Sequence, residues 1–259
     1  MQFGLITEMK EDMMKAIHDS FINALLADAT YALGNQANLI GATGNILAGF
    51  LSDRMTPALA EYIGKNFTVV THIETGDIIE SGFDATVWKD NNTGKLYVSM
   101  QGTVGLADFS ANVSLAALNG AAGTQLVDMV NWWLCISTPE GEMAQQIKIL
   151  AYSPGADFLF VNAPPVAGQG LITAEDLEKG IEVNGHSLGG YLASAFSRLF
   201  PDVTDSAVAI NGAGFDFDNS NVDVLFAALG GADGFNAGKI INLIGSAGMD
   251  LVSHYADAA

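Results

Sequence analysis

The sequence predicts an α/β fold in which a mostly parallel central sheet is covered by helices on both faces. Residues 185–190 form a glycine-rich turn that joins a short strand to a helix. After this turn, two apolar strand patterns at residues 207–211 and 239–245 are separated by a helical pattern at residues 221–229. Strands that alternate with helices pair in parallel and are buried on both faces. Hydrophobic residues make up 49% of the 259-residue chain and charged residues 15%, a composition typical of a globular protein.

The N-terminal region, residues 1–66, is predicted to be helical. Apolar residues recur at every fourth position of residues 8–33, which predicts an amphipathic helix whose stripe packs on the core: Met9, Met13, Ile17, Phe21, Leu25 and Ala29. The alternative is a helix that lies on a membrane surface. Residues 36–51 are apolar and interrupted by glycines, so they fit either the core or the apolar rim of a lipid site. A short helix is expected at residues 57–66.

The segment that follows predicts three strands. Residues 67–75 are rich in β-branched side chains. Residues 83–89 and 95–101 flank the turn sequence Asp-Asn-Asn-Thr-Gly at residues 90–94, which predicts a β-hairpin. The first part of the sheet is therefore expected well before the glycine-rich turn.

The region between these strands and the glycine-rich turn is expected to hold helices and a loop. Residues 122–137 and 140–150 predict two helices, and the proline and glycine content of residues 158–170 predicts a long loop. No internal repeat divides the chain, so we expect a single domain over residues 1–259.

The charge and composition of the chain limit its partners. The formal net charge is −19, which disfavours nucleic acid and anionic membranes because both are negatively charged. The single cysteine, Cys135, excludes an internal disulfide, and its position after two tryptophans predicts a buried, unreactive thiol. The sequence has no run of about 20 uncharged apolar residues, so a membrane-spanning helix is not expected. The N-terminus does not resemble a secretory signal.

The turn at residues 185–190 has the sequence Gly-His-Ser-Leu-Gly-Gly, which matches the G-x-S-x-G pattern of a nucleophile elbow. In such a turn the serine backbone is strained, and glycines let the strand and the helix approach while the hydroxyl projects alone. Residues 181–184 predict the strand, and residues 191–200, followed by Pro201, predict the helix. Ser187 is therefore the candidate nucleophile, and the alternative is an ordinary glycine-rich turn.

A serine nucleophile needs hydrogen-bond donors for the oxyanion that forms on the attacked carbonyl group. The backbone N–H of Leu188, directly after the nucleophile, is one candidate. A second donor should come from a loop after an earlier strand. Thr103 fits, because it follows the strand at residues 96–100 and the permissive Gly102. The alternative for Thr103 is a plain threonine turn.

The acid that orients the catalytic base is expected after a later strand. Asp250 follows the strand at residues 239–245, and Asp216 and Asp218, after the preceding strand, are the alternatives. Residues 216–223 alternate oxygen-bearing side chains that could hold Ca²⁺, but they lack the glycine and the distal glutamate of an EF-hand. We therefore expect a solvated loop and no cofactor, with Ca²⁺ as the alternative.

The base in sites of this type is a histidine, and the chain has four. His18 and His72 fall in a predicted helix and a predicted strand, which indicates structural roles. His186 adjoins the serine, but the sharp turn separates neighbouring side chains. His254 follows Asp250 in chain order and is the candidate; on a shared helix their Cβ atoms would lie about 5–6 Å apart. The alternative is a histidine in a C-terminal portion that this chain lacks.

Two of these motifs resemble segments of known lipases. Residues 96–103, Leu-Tyr-Val-Ser-Met-Gln-Gly-Thr, with Asp108 and Phe109 after them, look like the oxyanion-loop region of class 3, fungal-lipase-like lipases. Residues 185–190 look like the elbow of the same family. The elbow alone is shared by many hydrolases, whereas the combination with the Gln-Gly-Thr loop is more specific.

A wider likeness points to a bacterial group. Residues 83–88, 131–133 and 194–200 are similar to bacterial secreted lipases of the calcium-repeat type, and the likeness covers about residues 80–250. The resemblance implies an α/β-hydrolase fold and lipase, phospholipase A1 or carboxylesterase activity on a lipid or ester substrate. It also implies secretion without an N-terminal signal peptide, with a cytoplasmic location as the alternative.

The resemblance implies roles for individual residues as well. Thr103 takes the place of an oxyanion residue, and Asp250 matches the aspartate of the family's Asp-x-Val segment. Gln101 departs from the pattern, because class 3 members often carry a basic residue there. The family also has its histidine after a further strand, whereas only five residues follow His254.

The sequence therefore predicts a serine ester hydrolase in which Ser187 attacks an acyl ester. One alternative is a non-catalytic or truncated hydrolase module that binds lipid without turnover. Another is an acyltransferase that uses the same site with an acceptor other than water.

Overall fold

The computed structural model describes residues 2–34, 36, 38–75, 81–102, 115–151, 159–212, 226–227 and 236–245. The α-helices in these ranges are α1 (Gln2–Thr30), α2 (Gly44–Leu51), α3 (Pro57–Asn66), α4 (Leu115–Ser137), α5 (Ala174–Glu178) and α6 (Leu188–Leu199). The strands are β1 (Phe67–Glu74), β2 (Asp84–Asp90), β3 (Leu96–Met100), β4 (Met143–Ala151), β5 (Leu159–Ala167), β6 (Ile181–His186), β7 (Thr204–Ile210) and β8 (Ile240–Leu243). A short 3₁₀ helix, Ala237–Lys239, precedes β8.

Six strands form the central sheet, in the order β1-β2-β3-β6-β7-β8. The first three pair antiparallel, whereas β3, β6, β7 and β8 pair in parallel. Of these six strands only β2 runs against the others, so the predicted α/β class and the mostly parallel sheet are confirmed.

The predicted hairpin joins β2 to β3. The side-chain Oδ1 of Asp90 accepts the backbone N–H groups of Asn92 at 2.7 Å and Thr93 at 3.1 Å. Gly94 closes the turn with a φ of 72°, a left-handed conformation that glycine adopts readily. The turn residues thus fix the register in which β2 and β3 pair.

Helices cover both faces of the sheet, as predicted. On one face α4 and α6 pack over an apolar layer that includes Val87, Val98, Trp133, Val183 and Phe196. On the other face α1, α2 and α3 pack over a second layer that includes Leu26, Leu47, Ile63, Trp88 and Tyr97. Successive residues of a strand point to opposite faces, which is why neighbours such as Val87 and Trp88 belong to different layers.

Residues 140–150 and 158–170 do not form the predicted helix and loop. They form β4 and β5, an antiparallel pair separate from the central sheet. Apolar and polar residues alternate at residues 146–149, a period of two that the helical prediction overlooked. Pro164 and Pro165 lie where the pairing of the two strands shifts register. Proline lacks a donor for the strand ladder, so it is tolerated at such bulges on edge strands.

Helix α1 confirms the predicted N-terminal helix, but Leu25 and Ala29, the last two residues of the apolar stripe, are buried whereas Met13, Ile17 and Phe21 are exposed. Leu25 is 7% exposed and Ala29 is fully buried, whereas Met13 is 56% and Ile17 57% exposed. Four residues advance about 40° beyond one helical turn, so a strict four-residue repeat winds around the helix. The stripe therefore meets the core only near the C-terminal end of α1.

Burial differs from prediction at two further places. Ile241 of β8 is 44% exposed, since β8 is the last strand of the sheet in the described ranges. Cys135 is half-buried rather than buried, and its thiol donates to the carbonyl oxygen of Ala167 at 3.6 Å. The helix predicted at residues 221–229 falls almost wholly outside the described residues. None of the helices in the described ranges is both long and apolar enough to cross a bilayer.

Candidate active site

Ser187 lies in a sharp turn between β6 and α6. Its backbone has φ 57° and ψ −122°, a conformation that costs a non-glycine residue about 1–3 kcal/mol and persists only where the surroundings impose it. Here the N–H of Ser187 donates to the carbonyl oxygen of Ile210 at 3.0 Å, and its own carbonyl oxygen accepts the N–H of Gly190 at 2.9 Å. The predicted strained turn is thus present at Ser187.

Two glycines allow the strands and α6 to approach each other around this serine. A Cβ atom on Gly185 would collide with the carbonyl oxygen of Gly189. A Cβ atom on Gly189 would collide with the carbonyl oxygen of Met100, at the end of β3. The glycines of the G-x-S-x-G pattern are therefore required by close backbone contacts on both sides of Ser187.

The carboxyl end of β3 meets the start of α6 at the elbow. A Cβ atom built on Gly102 would lie 2.7 Å from the carbonyl oxygen of His186 and 3.3 Å from the amide nitrogen of Leu188. Leu188 is the first residue of α6, and the first amides of a helix have no partner within it. The structure thus brings the loop before Thr103 and the amide of Leu188 together beside Ser187.

The remaining predicted site residues lie outside the described residues: Thr103, Asp250, His254, and the alternatives Asp216 and Asp218. The strand that precedes Asp250 is nevertheless placed. β8 pairs in parallel with β7, and β7 pairs in parallel with β6, so all three end at the same edge of the sheet. The chain is followed along this edge as far as Gly245, whose N–H donates to Oδ1 of Asn211 at 2.8 Å.

A tyrosine that sequence analysis did not single out lies at the same edge. Tyr31 follows directly after α1, and its hydroxyl oxygen accepts the N–H of Gly102 at 2.7 Å. Its ring meets the ring of His186 edge-on, with centroids 6.4 Å apart. Burial raises the pKa of the Tyr31 hydroxyl above its ordinary value. No local motif marks this residue; only its place at the end of a predicted helix hints at it.

Gln101 has a defined role in the position where the resembling family often has a basic residue. Its side chain is 6% exposed, and Nε2 donates to the carbonyl oxygen of Thr30 at 2.9 Å. The last carbonyl groups of a helix lack partners within it, so Gln101 satisfies one at the end of α1. The backbone N–H of Gln101 donates to the carbonyl oxygen of Asp84 at 2.9 Å.

His72 lies in β1, in the strand that was predicted for it. Its Nδ1 is 2.9 Å from the hydroxyl of Thr86, and its Nε2 has no hydrogen-bond partner among the described residues. Burial lowers the pKa of His72 to about 4. The neighbouring Asp84 accepts the N–H of Thr75 at 3.0 Å, and burial raises its pKa to about 6.

In the ranges that the structure covers, no group of three or more His, Cys, Asp or Glu side chains is arranged to hold a metal ion. The segment considered for Ca²⁺, residues 216–223, is outside those ranges. The described residues at the elbow are Ser187 in its strained turn, Leu188 at the start of α6, and Tyr31 and Gly102 beside them.

The arrangement of the sheet and the elbow identifies the fold. A serine in a strained turn between a central parallel strand and the helix that follows it is the defining feature of the α/β-hydrolase fold. The predicted fold is thus confirmed, and the turn can present a hydroxyl group next to backbone amides.

No protein-family model and no curated protein sequence matches the chain. Among solved structures, the nonglycosylated Lip2 lipase of Yarrowia lipolytica is 15% identical with a TM-score of 0.47, over 82% of this chain and 65% of that one. Another structure of Lip2 lipase from Yarrowia lipolytica is 15% identical with a TM-score of 0.46, over 89% and 71%. A triacylglycerol lipase from Penicillium expansum is 16% identical with a TM-score of 0.36, over 88% and 69%. The chain spans less than two thirds of the length of the first of these.

Proposed function

We propose that the protein is a serine ester hydrolase of the lipase or carboxylesterase type, with Ser187 as its nucleophile. The observation that carries the proposal is the strained backbone of Ser187, held between β6 and α6 beside the amide of Leu188. Backbone strain at a polar residue is found where function requires a fixed geometry. A serine in this turn has its hydroxyl separated from the neighbouring side chains and close to oxyanion donors.

In the proposed reaction the Oγ atom of Ser187 bonds to the carbonyl carbon of the ester while a histidine takes the hydroxyl proton. The carbonyl oxygen becomes an oxyanion and accepts hydrogen bonds from the N–H of Leu188 and from a second donor. Collapse of this intermediate breaks the bond to the alcohol, which leaves with the proton from the histidine. Water then cleaves the acyl-enzyme through the same steps and releases the acid.

We propose Thr103 as the second donor, Asp250 as the acid and His254 as the base. The position of Gly102 against the amide of Leu188 supports the first assignment, because Thr103 is the next residue of the chain. The parallel course of β8, toward the edge where Ser187 lies, supports the second.

The proposed substrate is an ester of an apolar acyl chain. The resemblance of residues 96–103 to the oxyanion-loop region of class 3 lipases supports this choice. Triacylglycerols, phospholipids and short-chain esters all present the same carbonyl group to the nucleophile, so they are candidates within the same reaction.

Hydrolysis of p-nitrophenyl esters of increasing acyl length tests the proposal. Replacement Ser187→Ala should lower kcat by about 10⁴–10⁶-fold, because the nucleophile is removed while the backbone donors remain. The matched control is Ser194→Ala in the same helix, where the hydroxyl donates to the carbonyl oxygen of Gly190 at 3.0 Å. The control should keep the wild-type kcat.

The other functions considered give different results in the same assay. Equal turnover by the wild type and Ser187→Ala contradicts the proposal. Background turnover by the wild type, together with binding of a fluorescent fatty acid, indicates a module that binds lipid without catalysis. Transfer of the acyl group to an added alcohol in preference to water indicates an acyltransferase.

A further inference from the structure

We propose that Tyr31 is a positioning residue whose hydroxyl group holds the start of the oxyanion loop, residues 101–102, against the nucleophile elbow. The inference rests on the ester hydrolase function proposed above. It concerns a residue at the end of α1, far along the chain from Ser187.

Two hydrogen bonds join the end of α1 to consecutive residues of the oxyanion loop. The N–H of Gly102 donates to the hydroxyl oxygen of Tyr31 at 2.7 Å. The Nε2 of Gln101 donates to the carbonyl oxygen of Thr30 at 2.9 Å in a buried position. The adjacent residues Thr30 and Tyr31 thus bind the adjacent residues Gln101 and Gly102. Two bonds between neighbouring pairs fix the direction of the loop as well as its position. We call this pair of bonds the clamp.

Because of the clamp, the backbone amide of Gly102 is occupied and is not available to hydrogen-bond a substrate. A residue has one backbone N–H group, and that of Gly102 is donated to Tyr31. Leu188 in α6 and Thr103 in the loop carry the proposed donors. A Cβ atom built on Gly102 would lie 3.3 Å from the amide nitrogen of Leu188 and 3.0 Å from the Tyr31 hydroxyl, so Gly102 is in contact with both groups. Fixing Gly102 therefore holds the residue that precedes Thr103 in the chain against the amide of Leu188.

The ring of Tyr31 is itself held by its neighbours. The ring of His186 packs against it with an interplanar angle of 70°. The guanidinium group of Arg54 lies 4.8 Å from the ring centroid and is paired with Asp28 of α1 at 2.6 Å. Burial raises the pKa of Tyr31 above its ordinary value of 10.0. The hydroxyl group is therefore neutral near pH 7, and its oxygen accepts the hydrogen bond from Gly102 in that form.

Replacement Tyr31→Phe removes the hydroxyl group and keeps the ring. For p-nitrophenyl ester hydrolysis we expect kcat to fall about 10–100-fold with KM little changed, because a displaced donor weakens binding of the transition state alone. The inhibition constant of an alkyl boronic acid, whose tetrahedral adduct imitates the oxyanion, should rise by the same factor. The control is Tyr97→Phe, a buried tyrosine on the same face of the sheet, which should leave both quantities unchanged.

The rate of hydrogen–deuterium exchange at the Gly102 amide measures the hydrogen bond to Tyr31 independently of catalytic activity. In protein labelled with nitrogen-15 glycine, exchange at Gly102 should be at least about 10-fold faster in Tyr31→Phe than in the wild type or Tyr97→Phe. Unchanged exchange contradicts the clamp. Faster exchange with wild-type kcat and boronic acid affinity contradicts the positioning role and leaves Tyr31 a structural residue.

The failure of the inference and the failure of the proposed function are distinguishable. If the wild type hydrolyses esters and Tyr31→Phe hydrolyses them equally fast, the proposed function stands and the role of Tyr31 alone is overturned. A wild type without esterase activity overturns the proposed function, and the role of Tyr31 in catalysis fails with it even if exchange at Gly102 reveals the clamp.

Discussion

The two faces of the central sheet are covered in different ways. On the face of α4 and α6 the contacts with the strands are mainly apolar and aromatic, and the ring centroids of Trp133 and Phe196 lie 4.9 Å apart. The side chain of Gln125 in α4 also donates to the carbonyl oxygens of Ser81 and Gly82, just before β2. On the face of α1, buried hydrogen bonds join the helix to the sheet as well. The side chain of Asn23 in α1 donates to Glu182 at 3.0 Å and accepts from Asn184 at 2.9 Å, both in β6.

The polar contact continues around Glu182. Its carboxylate accepts the hydroxyl of Ser206 at 2.6 Å and the ammonium of Lys95 at 2.8 Å, and Lys95 also pairs with Asp205 at 3.0 Å. Apolar burial is not directional, whereas hydrogen bonds require a defined geometry. We infer that the aromatic face supplies more of the stability, and that the polar face sets the position of α1 and therefore of Tyr31 at its end.

The largest expected loss of stability comes from the aromatic face. Phe196 is fully buried, so Phe196→Ala should lower the free energy of unfolding by about 3–5 kcal/mol through lost burial and a cavity. Phe21→Ala on α1, where the ring is 48% exposed, should change it by less than about 0.5 kcal/mol. Urea denaturation measures both. Similar losses for the two variants would contradict the description of the aromatic face.

A smaller loss of stability, with a larger effect on activity, is expected from the polar face. Asn23→Ala removes the partner of Asn184 and one partner of Glu182, which should cost about 1–3 kcal/mol. Because α1 then loses its fixed position, kcat per folded molecule should fall by at least about 3-fold. Phe196→Ala should keep its kcat while it remains folded.

Steady-state kinetics and urea denaturation on the same samples separate the two faces. The matched control is Asn92→Ala in the exposed turn between β2 and β3, which should alter neither quantity. The comparison of the faces fails if Phe196→Ala lowers kcat more than Asn23→Ala does at conditions where both are folded.

The smallest effect concerns the pH dependence of stability. Burial alone would raise the pKa of Glu182, but hydrogen bonds from Lys95, Ser206 and Asn23 hold the pKa below its ordinary value of 4.5. A carboxylate with a lowered pKa binds fewer protons when folded. The stability that it contributes is therefore present above about pH 4.5 and is lost as the pH falls through the folded pKa.

Glu182→Gln should consequently be less stable than the wild type by about 1 kcal/mol at pH 7, and the difference should shrink below about pH 4.5. Denaturation by urea across a pH series gives both curves. Glu175→Gln is the control, since Glu175 forms an exposed pair with Lys179 in which its side chain is 79% exposed. Parallel curves for wild type and Glu182→Gln would show that this carboxylate carries no net stabilisation.

The features that could be predicted from the sequence were those that depend on a few neighbouring residues. The spacing of glycines predicts the strained turn at Ser187, and the turn residues after Asp90 predict the β2–β3 hairpin. Both depend on backbone conformations that particular residue types favour. The same local reasoning was misled at Pro164 and Pro165, where two prolines mark a bulged strand and not a loop.

Contacts between distant parts of the chain left no local signal. Tyr31 and Gly102 are 71 residues apart, and Asn23 and Glu182 are 159 apart. A tyrosine at the end of a helix looks the same in sequence whether or not its hydroxyl meets a loop. The strained turn at Ser187 was therefore predictable, whereas the contact of Tyr31 with Gly102 emerged only from the folded structure.

The most direct test of the central claim is covalent trapping of the nucleophile with an alkyl fluorophosphonate. The Oγ atom of the reactive serine bonds to phosphorus and fluoride leaves, so one label is added per active site. We predict one label on the wild type, located on Ser187 by peptide mapping, and none on Ser187→Ala. A label that persists in Ser187→Ala, or a wild type that hydrolyses esters but is not labelled at Ser187, would contradict the assignment.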